Sequence, residues 1–158
     1  MKVVSDTSPI LYLLLINQLD LLPRLYQTIT IPDVVQAEMQ ATGAPPQLQQ
    51  WIAEPPTWLE ICPVPEGDYA PLQRLQLGEQ AAIVLAQSLQ ADLLIVDDLD
   101  ARKIAQQLGI NIVGLLGILR KAAKRNWINF PSTLNQLLQE TNFRVSPQLV
   151  RDLMAQFP

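Results

Sequence analysis

Six carboxylates in this chain stand where an ordinary surface acid is not expected. Asp6 ends the run Val3-Val4-Ser5, almost at the N-terminus. Glu38 lies i+4 from Val34 and i+3 from Val35, so on a helix it shares the face of two valines. Glu79 follows Gly78 and heads a stripe of Ala82, Ile83 and Ala86. Asp97, Asp98 and Asp100 close the apolar run Leu93-Leu94-Ile95-Val96. Each has a plain structural explanation as well. Glu38 can sit at the edge of its stripe with its head in water, and Glu79 can complement a helix dipole. One of the three aspartates can cap the helix after them. A cap does not need three acids, however, and two unit charges 4 Å apart repel by about 4 kcal/mol at an effective dielectric of 20.

The chain has no histidine. That removes Ser-His-Asp and Cys-His nucleophilic schemes and the usual zinc sites. Any catalysis must rest on carboxylates, and clustered carboxylates suit a hard cation, Mg²⁺ or Mn²⁺. Such an ion can activate water, orient a phosphodiester and stabilise the departing oxygen. Asp6, Glu38, Glu79 and one or more of Asp97, Asp98 and Asp100 are therefore the candidate metal ligands. A phosphatase forming an aspartyl-phosphate is disfavoured, because the place two residues after Asp6 holds Ser8. Thr7 and Ser8 are explained by helix capping alone.

The net charge of −4 conceals an asymmetry. Residues 1–100 carry 13 acidic and three basic side chains. Residues 101–130 carry six basic ones and no acid: Arg102, Lys103, Arg120, Lys121, Lys124 and Arg125. Arg120 and Lys124, and Lys121 and Arg125, are i,i+4 pairs on a helix whose other side is Leu115, Ile118, Leu119 and Ala122. Such a patch is a candidate phosphate track, or else a solvated helix face. Trp51, Trp58 and Trp127 are expected in packing rather than on bases.

The elements that must position these groups follow from hydrophobic period and punctuation. Short β-branched runs give strands at Val3-Val4, Thr28–Ile31, Trp58–Val64, Leu93–Val96 and Asn111–Val113. Helices are expected over Ile10–Ile16, Leu19–Tyr26, Pro32–Gln40, Leu48–Ala53, Gly78–Leu89, up to Leu108, Leu115–Arg125, Ser132–Glu140 and Pro147–Gln156. Ser8-Pro9 and Ser146-Pro147 both read as an N-cap followed by proline in the first helical place, and Gly109 as a helix end. Strands alternating with helices imply an α/β fold with a mostly parallel sheet of four to five strands, covered on both faces. In such sheets ligands bind beyond the carboxyl ends of the strands, where Asp6 and the acids Asp97, Asp98 and Asp100 fall.

At 158 residues and 49% apolar, the chain reads as one domain with residues 131–158 as a C-terminal helical extension packed on it. No apolar run approaches the roughly 20 residues that span a bilayer. Ile10–Ile16 lacks the basic flank of a signal peptide. With Cys62 alone no internal disulfide forms, so the expected location is the cytoplasm. Apolar residues near 10–26 and in the C-terminal helices lead us to expect a homodimer.

Taken in order, Val3-Val4-Ser5-Asp6-Thr7-Ser8-Pro9, Ile31-Pro32-Asp33-Val34-Val35-Gln36-Ala37-Glu38, Leu77-Gly78-Glu79-Gln80-Ala81-Ala82 and Ile95-Val96-Asp97-Asp98-Leu99-Asp100-Ala101-Arg102 resemble PIN domains of the VapC-like branch. Gly109, Gly114-Leu115-Leu116-Gly117-Ile118-Leu119 and Asn142-Phe143-Arg144-Val145-Ser146-Pro147 are similar to a PIN-like subgroup of unknown function. The resemblance spans nearly the whole chain. It implies a three-layer α/β/α fold and a Mg²⁺- or Mn²⁺-dependent endoribonuclease, often the toxin partnered by a small antitoxin protein. A catalytically silent module that binds RNA or protein is the alternative. Carried over by position, the four acids are Asp6, Glu38, Glu79 and, from the doubled pair, preferably Asp98. Two features depart from the pattern: Glu79 stands where many relatives carry Asp, and the fourth acid is doubled.

Overall fold

The computed structural model describes residues 1–158. Five strands, β1 (Val3–Ser5), β2 (Ile29–Pro32), β3 (Leu59–Cys62), β4 (Leu93–Ile95) and β5 (Ile112–Val113), form one sheet in the order β3-β2-β1-β4-β5. Every pairing is parallel. The chain works outward from β1 to the β3 edge, then crosses back to place β4 on the other flank of β1. The strand order therefore reverses between β1 and β4. Above their carboxyl ends a crevice must open, because the connections leave in opposite directions.

The helices are α1 (Thr7–Leu15), α2 (Leu21–Tyr26), α3 (Asp33–Gln40), α4 (Pro46–Ala53), α5 (Leu77–Ser88), α6 (Leu99–Gln107), α7 (Leu115–Lys124), α8 (Phe130–Glu140) and α9 (Pro147–Ala155), with a 3-10 turn at Ala70–Leu72. They cover the sheet in two layers, and the strands show why. Val3, Ile29, Ile31, Leu93, Ile95 and Val113 belong to a large core with residues of α1–α4, α7, α8 and Leu153 of α9. The alternate positions Val4, Leu94 and Val96 join a second core with α5 and α6. A period of two with both phases apolar is what a sheet buried on both faces requires. Each large side chain so buried contributes roughly 1.5–3 kcal/mol. The segment after residue 130 docks through Phe130, Leu134, Leu137 and Leu153, and Phe130 stacks on Phe157 at 4.7 Å. Trp51 and Trp58 pack together at 5.9 Å. No helix is long and apolar enough to cross a membrane.

Most elements lie within two residues of their expected places, and two details differ. The helix after β1 starts at Thr7 with Asp6 in the N-cap place, so Ser8 and Pro9 are its second and third residues rather than cap and first. Proline is tolerated there because an N–H in the first turn has no intrahelical acceptor to lose. At α9 the same dipeptide behaves as expected, with Ser146 Oγ accepting from the Leu149 N–H at 3.2 Å. Gly109 follows the last turn of α6 at φ +78°, a left-handed conformation that glycine adopts without strain.

Candidate functional site: an acidic cleft at the sheet switch point

Four helices aim their N-termini at the crevice between β1 and β4, and an acid attends each. Asp6 is the N-cap residue of α1, and its backbone N–H is bonded to the Ile95 carbonyl of β4 at 3.1 Å. Asp98 caps α6, accepting from the Ala101 N–H at 3.0 Å. Asp97 reaches α7, where its Oδ1 accepts from the Leu115 N–H at 2.9 Å. Glu38 of α3 lies over the first turn of α5: a Cβ added at Gly78 would stand 2.5 Å from both of its carboxylate oxygens. Its Oε2 also accepts from Thr7 Oγ1 at 2.8 Å. Glu79 closes a capping box on α5, with Oε1 accepting from the Gln76 N–H at 3.0 Å. The positive helix ends are what allow so many acids to gather.

Those dipoles do not cancel the repulsion. Each is worth about 0.3–1 kcal/mol, against about 4 kcal/mol for one close pair of like charges. Burial adds a larger cost, and it shows in the ionisation of the acids. Asp6 is only 6% exposed, and its pKa is pushed up to about 7. Burial is the main cause, opposed by a backbone hydrogen bond from Thr7 and reinforced by Glu79, Glu38 and Asp97. Burial likewise raises Asp97, while the Leu115 N–H and the Arg102 charge pull it down. Glu79 is raised by burial first, lowered by Gln76, and raised by Asp98, Glu38 and Asp100. Thus Asp6 feels Asp97, whereas Asp98 and Asp100 act on Glu79. The two neighbouring aspartates divide: Asp97 faces Asp6, and Asp98 serves α6.

The crevice continues as a cleft of about 950 Å³. Asp6, Glu79, Asp97 and Asp98 line it, and Glu38 stands behind them rather than on its surface. Of the six basic residues singled out by sequence, Arg102 and Arg120 line the cleft. Lys103 does not. Because α7 begins at the carboxyl end of β5, its last turns carry Lys121, Lys124 and Arg125 away from the acids. Lys121 donates instead to the Tyr26 hydroxyl at 3.2 Å, and Arg125 and Arg24 lie over the Trp127 ring at 5.4 and 4.0 Å. The i,i+4 spacing implied a common helix face, but these side chains do not point at one site.

Several lining residues escaped the sequence reading. Gly114 is one: a Cβ there would lie 2.8 Å from Asp97 Oδ1, so only a bare backbone lets Asp97 dock on α7. Its signal was the glycine opening Gly114-Leu115-Leu116-Gly117, which carried no stated role. Tyr12, Leu149 and residues 142–146 are others, and they come to the cleft only through long-range packing.

The donor set, all carboxylate oxygen, suits a hard divalent cation. Asp97 Oδ2 is buried and has no hydrogen-bond partner, a cost that a bound cation would remove. No three acidic side chains are close enough, as they stand, to share one ion. Asp97 is held at Oδ1 by Leu115 and keeps Oδ2 unengaged, whereas Glu38 and Glu79 are held by Thr7 and Gln76. Residues 2–157 match the family model described as DUF3368: PIN domain. No curated protein and no solved structure matches the chain.

Proposed function

This chain belongs to the PIN-domain family DUF3368, a nuclease-like family, and from that premise we propose that it is a divalent-metal-dependent endoribonuclease, the toxin of a toxin–antitoxin pair. PIN domains are typically metal-dependent, and here Asp6 and Asp97 would hold Mg²⁺ or Mn²⁺, with Glu79 and Glu38 adding negative charge around the site. The cation, when bound, activates the attacking water and neutralises charge on the phosphodiester. The chain's own part is preorganisation. Thr7 fixes Glu38, Gln76 fixes Glu79 and the α7 N-terminus fixes Asp97. Arg102 and Arg120, on the same cleft, bind the phosphates flanking the cut. The observation that carries the reading is Asp97 Oδ2, a buried oxygen without a partner beside a buried Asp6.

The test is cleavage of a mixed RNA pool by purified protein in millimolar Mn²⁺, with EDTA and with Asp6→Asn as controls. Cleavage lost in both controls is expected. Metal binding without cleavage would move the protein to the second reading, a catalytically silent RNA-binding module. What favours that reading is the spread of the acids beyond a single ligand shell. A homodimer and a small antitoxin partner belong to the toxin proposal, and light scattering at micromolar concentration checks the first of them.

A further inference from the structure

The cleft that starts at Asp6 has a second wall, made by a segment remote in sequence. Asn142–Ser146 joins α8 to α9 and lies along the cleft opposite the acids. It is pinned there. The Tyr12 hydroxyl donates to Asn142 Oδ1 at 2.7 Å, and the Phe143 ring stands edge-on to Tyr12 at 5.2 Å. The Phe143 N–H donates to Thr141 Oγ1 at 3.1 Å, and that hydroxyl donates to the Leu137 carbonyl at 2.6 Å.

The wall differs from the floor in chemistry. Arg144 adds a third guanidinium to Arg102 and Arg120, while Tyr12 and Phe143 present half-buried rings. Leu99 and Leu149, 69% and 42% exposed, also line the cleft. They add apolar edges to a charged cleft. Cations, aromatic rings and apolar edges together match a single-stranded nucleotide, with its phosphate on arginine and its base on a ring.

Resting on the ribonuclease reading, we infer that Tyr12, Phe143, Arg144 and Leu149 form a nucleotide subsite for single-stranded RNA adjoining the bond to be cut. Arg144 takes the phosphate of that nucleotide. The Tyr12–Phe143 pair and Leu149 take its base. Asn142, its carbonyl engaged by Tyr12, keeps its amide N–H groups for the sugar or base edge.

The test is fluorescence anisotropy of labelled single-stranded hexaribonucleotides on the Asp6→Asn parent without metal, so that the RNA survives the titration. Arg144→Gln should weaken binding several-fold and reduce the slope of log affinity against log salt by about 0.7, the share of one phosphate contact on a single strand. Phe143→Ala should weaken it roughly tenfold with the salt slope unchanged, the signature of a lost stack. Arg151→Gln, an exposed site outside the cleft, should change neither. Because Arg144 is exposed, its variant reads the subsite even if Phe143→Ala fails to fold. Unchanged affinity and slope in Arg144→Gln overturn the subsite and leave the ribonuclease reading standing, with the wall then free for a protein partner. A parent that binds no hexamer overturns the subsite, and cleavage of the RNA pool by wild type in Mn²⁺ decides the ribonuclease reading separately.

Discussion

Replacing Asp6 by Asn should make the metal-free protein more stable, and by an amount set by pH. Folding lifts the Asp6 pKa from 3.8 to about 7. Between those values the folded chain holds a proton that the unfolded chain has released, so stability falls as pH rises through the window and levels off above it. The difference of about 3 pKa units corresponds to about 4 kcal/mol at full ionisation. Asparagine keeps the shape and carries no charge. Asp6→Asn should therefore match wild type near pH 4 and exceed it by up to about 4 kcal/mol at pH 8. For a chain of this size that is of order 10 °C in melting temperature. Urea denaturation at several pH values reads the effect directly. Glu79 and Asp97 are raised too, so the variant should keep a shallower slope of the same sign. Mn²⁺ at a hundredfold excess over its Kd should return about 2.7 kcal/mol to wild type at pH 8 and much less to the variant. Parallel pH–stability curves for the two proteins would refute the claim that burial and like charge meet at Asp6.

Two further outcomes separate roles that lie close together. Gly78→Ala puts a Cβ into the Glu38 carboxylate; it should break the Thr7–Glu38 hydrogen bond and shrink the Mn²⁺-induced rise in melting temperature, measured by differential scanning fluorimetry. Asp98→Ala should cost about 0.5–2 kcal/mol as a lost helix cap whether or not Mn²⁺ is present, whereas Asp97→Asn should remove most of the metal-induced gain; the reverse pattern would make Asp98 the ligand.

The sequence was most legible where a local pattern has one physical meaning. Two apolar phases on Val3-Val4 and Leu93–Val96 meant strands buried on both faces, and both were. Glu38 and Glu79 were suspect because each sat with apolar neighbours on a helix, and both came to the switch point. The sequence preferred Asp98 as the fourth acid, whereas Asp98 caps α6 and Asp97 is the one that acts on Asp6; which of two consecutive aspartates caps a helix depends on backbone torsions fixed only by the packing of α6. The basic patch was read as a unit because helical spacing reports a shared face and not a shared destination. Tyr12 and Asn142 left no trace of their meeting, which spans 130 residues and is decided by where α8 and α9 dock.

The central strand β1 precedes every other strand in the chain. β1 gains its β4 neighbour only when residues beyond Leu93 are available, and the backbone of Asp6 is tied to Ile95. Pairings of such long sequence separation make folding slow and late. Asp6 and Asp97 stay apart in every nascent fragment that stops short of β4. The carboxylate crevice therefore cannot assemble before β4 has been made.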